Sequence, residues 1–222
     1  MPEFIHRGLI IMTGKTHLTA GTAAALCLLR PDSPGKWVVC TAAAAVGAVI
    51  CDVDVSTSDS RETLNQITAL TLLSVLAVCL AEFWFHLGIL RNFNRESSWF
   101  RLISGFLALL VLCSWGKTRP HRSFMHSLPC LVLLSGIIGY IYPALVPGFF
   151  IGMGSHIVLD LLNYKGVRLL YPLKFKLSFS LCSSHGLVNR MIAKCGAGIF
   201  SLVSFILFLS YVLTPLAARK GF

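Results

Sequence analysis

Long apolar stretches alternate with short polar ones along this 222-residue chain. The apolar runs are His17–Leu29, Trp37–Cys51, Ile67–Leu90, Phe100–Trp115, Ser127–Val146, Phe149–Asn163 and Gly196–Thr214. Crossing the hydrocarbon layer takes roughly 20 helical residues. The third, fifth and seventh runs reach that length, whereas the first, second and sixth are short. Short runs rich in Ala and Gly, such as TAAAAVGAV at 41–49, suit helices packed inside a bundle, where small residues let backbones approach. A re-entrant hairpin for the first two runs is the other arrangement the pattern allows. The expected fold is an all-α, polytopic transmembrane helix bundle of about six or seven helices. It would form a single integral membrane domain over residues 1–222.

Threading the runs back and forth gives the polar residues a common address. If all seven cross, His17 opens the first helix on the N-terminal side, and the second returns there to end at Asp52-Val53-Asp54. The fourth returns just before HRSFMHS at 121–127, and the sixth brings back His156 and Asp160. A polar site at one membrane face is therefore predicted. That face also collects the larger share of the 19 basic residues, which assigns it to the cytoplasm. The stretch 165–194 is the longest polar connection, expected to lie along the interface as a cap over the site. Residues 1–11 carry no signal-peptide pattern, and Met12 begins a second plausible start, so they are expected to be a dispensable or non-native extension.

Composition agrees with the pattern. The chain is 55% hydrophobic and only 13% charged, with a mean hydropathy of +0.76. Soluble domains carry about 25% charged residues. The net charge of +10 is spread between apolar runs without an aromatic-lined stripe, so membrane flanks facing anionic lipid explain it and no nucleic-acid partner is expected. The eight cysteines form no CxxC pair and read as small buried hydrophobes.

The chemistry lies in the His and Asp residues. His156 and Asp160, four apart on a helix, share one face and can reach a common ion, with Asn163 on nearly the same stripe. Ionisable groups inside an apolar helix are costly and usually functional. Asp52 and Asp54 point to opposite sides of a regular helix, so they can act together only if the chain unwinds after Cys51. Taken alone, that pair reads as a polar loop, as do Asp59 and Glu62. His121 and His126 are five apart and share no helix face. The expectation puts His121 in the loop and His126 in the first turn of the next helix. A basic membrane flank would account for Arg122 but not for two imidazoles; its guanidinium fork suits a phosphate or carboxylate. Glu82 and His86 fall toward the opposite side and read as a hydrogen-bonded pair within the bundle. His185 has no assigned role, and His6 reads as tail.

Imidazole mixed with carboxylate suits a divalent transition metal, zinc or manganese foremost and iron as well, better than magnesium or calcium. One or two ions would use this many ligands, and such an ion acidifies a water for attack on an ester or phosphoester.

Four segments in order, the T-H of GKTHLTAG, the G-x-x-x-x-D-x-D of GAVICDVD, the HR-x-x-x-HS of HRSFMHS and SH-x-x-x-D-x-x-N, resemble the YdjM-like membrane-bound metal-dependent hydrolases across about residues 12–165. The resemblance implicates His17, Asp52, Asp54, His126, His156 and Asp160 as metal ligands and His121 as a ligand or proton shuttle. Arg122 comes with the third motif as an anion clamp, and Ser127 accompanies it as a catalytic candidate. Cys51 and Ser123 stand where the family tends to have proline and glycine. The resemblance implies a hydrolase of the bacterial cytoplasmic (inner) membrane, meeting membrane lipid and acting on a lipid or other amphipathic phosphoester. The rival expectation is a non-enzymatic metal-binding protein or ion-coupled transporter using the same cluster. Neither reading specifies an oligomeric state.

Overall fold

The computed structural model describes residues 14–54, 80, 83–84, 99–181 and 187–219. The expectations for residues 1–11, Asp59, Glu62, Glu82, His86 and His185 lie outside that set, as does most of the third apolar run. The described chain is all-helical. It runs through α1 (Gly14–Leu29), α2 (Pro34–Ile50), a 3-10 turn (Cys51–Asp54), α3 (Trp99–Lys117), α4 (Leu128–Ile141), a second 3-10 turn (Pro143–Leu145), α5 (Val146–Leu161) and α6 (Leu187–Arg219). An isolated antiparallel bridge joins Val167 and Leu177.

The helix boundaries follow local chemistry. Ser33 caps α2 by accepting the Lys36 N–H, with Pro34 in the first turn, where its missing N–H costs nothing. Ser127 caps α4 in the same way, accepting from Cys130 N–H, and Pro129 follows. The fifth run does not continue as one helix to Val146. Pro143 lacks an N–H and forces the residue before it out of helical geometry, and Tyr142 sits at φ −156°, ψ 105°. With 14 residues α4 is only about 21 Å long, short of a full crossing. The polar connection expected to reach residue 194 is also shorter, because α6 already begins at Leu187.

Among the described residues, two helical stretches, Pro143–Leu161 and Leu187–Tyr211, are long and apolar enough to cross a membrane. The bundle is built around α5, which packs against α1, α2 and α4, while α6 lies along α1 and α3 along α4. Small residues make the central contact. A Cβ on Gly148 would meet the Cys40 carbonyl, one on Gly152 the Ala44 carbonyl, and one on Gly47 the Phe149 carbonyl. This close approach lets dispersion replace the hydrophobic drive that lipid cannot supply. Phe149, Met153 and Ile157 of α5 then fill the core with Leu131 and Leu134 of α4. There is no disulfide among the described residues. Cys40, Cys51 and Cys130 are buried as expected, but Cys27 and Cys195 are exposed.

Because α1 starts, α2 ends, α4 starts and α5 ends on the same side, the polar residues at those termini meet at one end of the bundle.

Candidate metal centre

His17 stands in the first turn of α1, fully enclosed at 1% exposure. His156 and Asp160 sit one turn apart on α5, both buried, as their spacing requires. Asp52 arrives by the route the sequence left open: α2 stops at Ile50, and the chain tightens into the Cys51–Asp54 turn. Asp54 closes that turn, but its side chain is outside the described set. His126 lies one residue before the α4 cap Ser127, still in the loop rather than in the first helical turn.

The heteroatoms converge. His126 Nε2 lies 3.2 Å from Asp160 Oδ2 and 3.9 Å from Asp52 Oδ1. His156 Nε2 is 3.3 Å from His126 Nε2, 3.5 Å from Asp52 Oδ1 and 3.8 Å from Asp160 Oδ2. His17 Nε2 is 3.9 Å from Asp160 Oδ1, and its ring stacks on His156 with centroids 3.8 Å apart. Ligands tetrahedrally arranged at 2.0–2.2 Å from one ion are about 3.4 Å apart. The observed separations therefore surround a volume that suits a single small cation. Among the described residues, two overlapping trios could hold a metal ion, His17–His156–Asp160 and Asp52–His126–His156.

The tautomer of His156 fits that use. Its Nδ1–H donates to the Ala48 carbonyl at 2.6 Å, so the lone pair is on Nε2, facing the cluster. Ala48 is in the last turn of α2, where intrahelical partners run out. A backbone carbonyl that fixes a ring in this way is a common outer support of ligating histidines. Nothing in the sequence flags Ala48 except its place one turn before Asp52.

Charge favours a cation here as well. Two buried carboxylates, Asp52 and Asp160, face one buried guanidinium, with Arg122 Nη2 donating to Asp160 Oδ1 at 3.0 Å. Isolated charge in such surroundings is expensive unless compensated. Arg122 Nε and Nη1 and His17 Nδ1 have no hydrogen-bond partner among the described residues. The expected substrate clamp thus has an internal partner on one nitrogen and keeps donors in reserve.

The HRSFMHS loop is held in an unusual shape. Arg122 adopts φ +60°, a left-handed conformation that costs a residue with a Cβ roughly 1–2 kcal/mol. Phe124, wedged against Trp115 and Tyr171, and fully buried Met125 anchor the loop from below. Ser123 donates to the Pro120 carbonyl. Ser127 donates to the Phe124 carbonyl at 2.6 Å and also caps α4. Its hydroxyl thereby holds the loop, a structural task that differs from the catalytic one expected. His121 packs edge-on against His126 with ring centroids 5.1 Å apart, beside the cluster rather than inside either trio.

An apolar helical bundle with buried His and Asp at one end defines a membrane-type protein carrying a candidate metal centre. The profile of the family described as YdjM inner membrane protein matches residues 12–221, and the chain belongs to that family. It is 29% identical over 87 residues to the uncharacterized protein YvsG of Bacillus subtilis (strain 168), a stretch covering 38% of this chain and 54% of that protein. The match thus spans about half the length of that curated relative. No solved structure matches the chain.

Proposed function

We propose that this protein is a metal-dependent hydrolase of the cytoplasmic membrane, cleaving an ester or phosphoester of a lipid or other amphipathic substrate at the inner face. The observation that carries the reading is the convergence of His126 Nε2, His156 Nε2, Asp52 Oδ1 and Asp160 Oδ2 within 3.2–3.9 Å of one another along every pair the structure gives. These four, with His17 against Asp160, would hold the ion, and the mixed donor set favours zinc or manganese. One ion per chain is the better fit to the described donors. His156 belongs to both trios, yet with Nδ1–H engaged by Ala48 it has a single lone pair to give.

Such an ion, when bound, supplies a water whose pKa is lowered toward neutrality. The remaining work belongs to the chain. Arg122 holds Asp160 in place through Nη2, and its Nε and Nη1 donors can take an anionic substrate oxygen. His121, packed beside His126, would carry a proton between the centre and the leaving group. Ion transport is less well supported, because the described polar cluster occupies one end of the bundle rather than a path through its depth.

Metal analysis of purified protein tests this reading. Wild type should carry about one equivalent of zinc or manganese per chain, and His156→Ala and Asp160→Ala should each lose it. Retention in both variants, in monodisperse protein, would remove the site. Hydrolysis of phosphoester and lipid-ester substrates should disappear on chelation and return on adding either metal back.

A further inference from the structure

Between α5 and α6 the chain forms a strap whose composition differs from its surroundings. From Leu173 to Leu181 it reads LKFKLSFSL, apolar at every odd position and Lys or Ser at every even one. In an extended backbone that alternation puts the two sets on opposite faces. The backbone pairs as a strand at Leu177, where Val167 N–H donates to Leu177 O at 2.8 Å and Leu177 N–H returns to Val167 O at 2.9 Å; at Ser180 it turns, with φ +50°, so the alternation of faces holds as far as Phe179. A half-buried strand would hide one of its faces. Here Leu173, Phe175, Phe179 and Leu181 are 47–68% exposed, and Lys174 and Lys176 are exposed too.

The strap is firmly attached at the site end of the bundle. Phe179 N–H donates to Leu161 O and Leu181 N–H to Leu162 O, both at the C-terminus of α5. At the other end of the strap, Arg168 N–H donates to the carbonyl of Arg122, and Leu128 N–H to Leu169 O. Charge on this segment has one sign. Lys165, Arg168, Lys174 and Lys176 lie within it, and no Asp or Glu follows Asp160 anywhere in the chain. A face of exposed Leu and Phe backed by lysines, at the end of a helix long enough to span, matches the boundary between acyl chains and anionic headgroups.

We infer that residues 173–179 form an interfacial arm that inserts its Leu/Phe face among the acyl chains while Lys174 and Lys176 gather anionic phospholipid around the mouth of the polar site. The arm does for an extended segment what an amphipathic helix does on a membrane surface. Through the Arg168–Arg122 bond it joins the lipid boundary to the loop that carries Arg122 and His126.

Quenching by brominated lipid tests the arm in the full-length protein reconstituted in vesicles. The probe is the indole introduced by Phe175→Trp, read as the emission beyond that of wild type in parallel vesicles. Brominated acyl chains should quench it, at least about twofold more strongly from phosphatidylglycerol than from phosphatidylcholine at equal mole fraction. Adding Lys174→Gln and Lys176→Gln should erase the difference between the two lipids while keeping the quenching itself. Equal quenching by both lipids with the lysines intact would overturn the selection of anionic lipid. Quenching by aqueous acrylamide alone would place the arm in water, and shielding from every quencher would place it against protein; either result sinks the proposal. No metal or turnover enters the readout, so this outcome and that of the hydrolase reading are independent.

Discussion

Helices α5 and α6 both belong to stretches long and apolar enough to cross a membrane, yet they occupy opposite surroundings. Much of Pro143–Leu161 is buried inside the protein, whereas Leu187–Tyr211 is almost entirely unburied. The α5 sequence carries Gly148 and Gly152 on the face toward α2, then His156 and Asp160 further along. The α6 sequence presents Leu202, Phe205, Ile206 and Phe208 outward and meets the bundle chiefly through α1. Hydropathy alone treats the two alike. What separates them is the placement of small and ionisable residues, because a helix surrounded by protein must fit its neighbours, whereas one facing lipid need only be greasy.

The sharpest way to break the contrast is to add volume where backbones touch. Gly152→Val drives a branched side chain into the Ala44 carbonyl, which cannot move aside, and should cost more than about 3 kcal/mol, read as loss of monodisperse protein or a collapsed thermal transition in detergent. Next comes removal of volume. Phe149→Ala empties a position only 1% exposed and should destabilise by about 3 kcal/mol in the same thermal assay. Chelation of wild-type protein should come third. If the site holds its ion at a hundredfold excess over Kd, stripping it lowers stability by about 2.7 kcal/mol, and the drop in Tm should vanish in His156→Ala. The smallest effects belong to α6. Gly198→Val enters open space and Phe208→Ala trims an exposed ring, so each should stay within about 0.5 kcal/mol. A large loss from either would mean that α6 is packed as tightly as α5.

Much of the site could be read from the chain because its logic is periodic. The i, i+4 spacing of His156 and Asp160 puts them on one stripe of any helix, and the alternating direction of apolar runs sends His17, Asp52 and His126 to the same end. The DxD segment was ambiguous for a sound reason: its reach depends on the tighter turn after Ile50, which period alone does not specify. Pro143 is the visible signal in the sequence that the fifth run breaks. The pairing of Arg122 with Asp160 and of His156 with the Ala48 carbonyl could not be read at all, since both depend on how helices dock. A backbone carbonyl is present at every residue and leaves no trace in composition.

The hydrogen bond from His156 to Ala48 links two things usually considered apart. It ties an imidazole on α5 to the rim of α2, the pair of helices already meshed glycine against carbonyl a turn or two below. Sliding one helix along the other by a single residue, about 1.5 Å, would pull that ring out of alignment. The cluster therefore works as a vernier on the meshing of α2 with α5: a force that shifts one thread against the other is felt at His156 first.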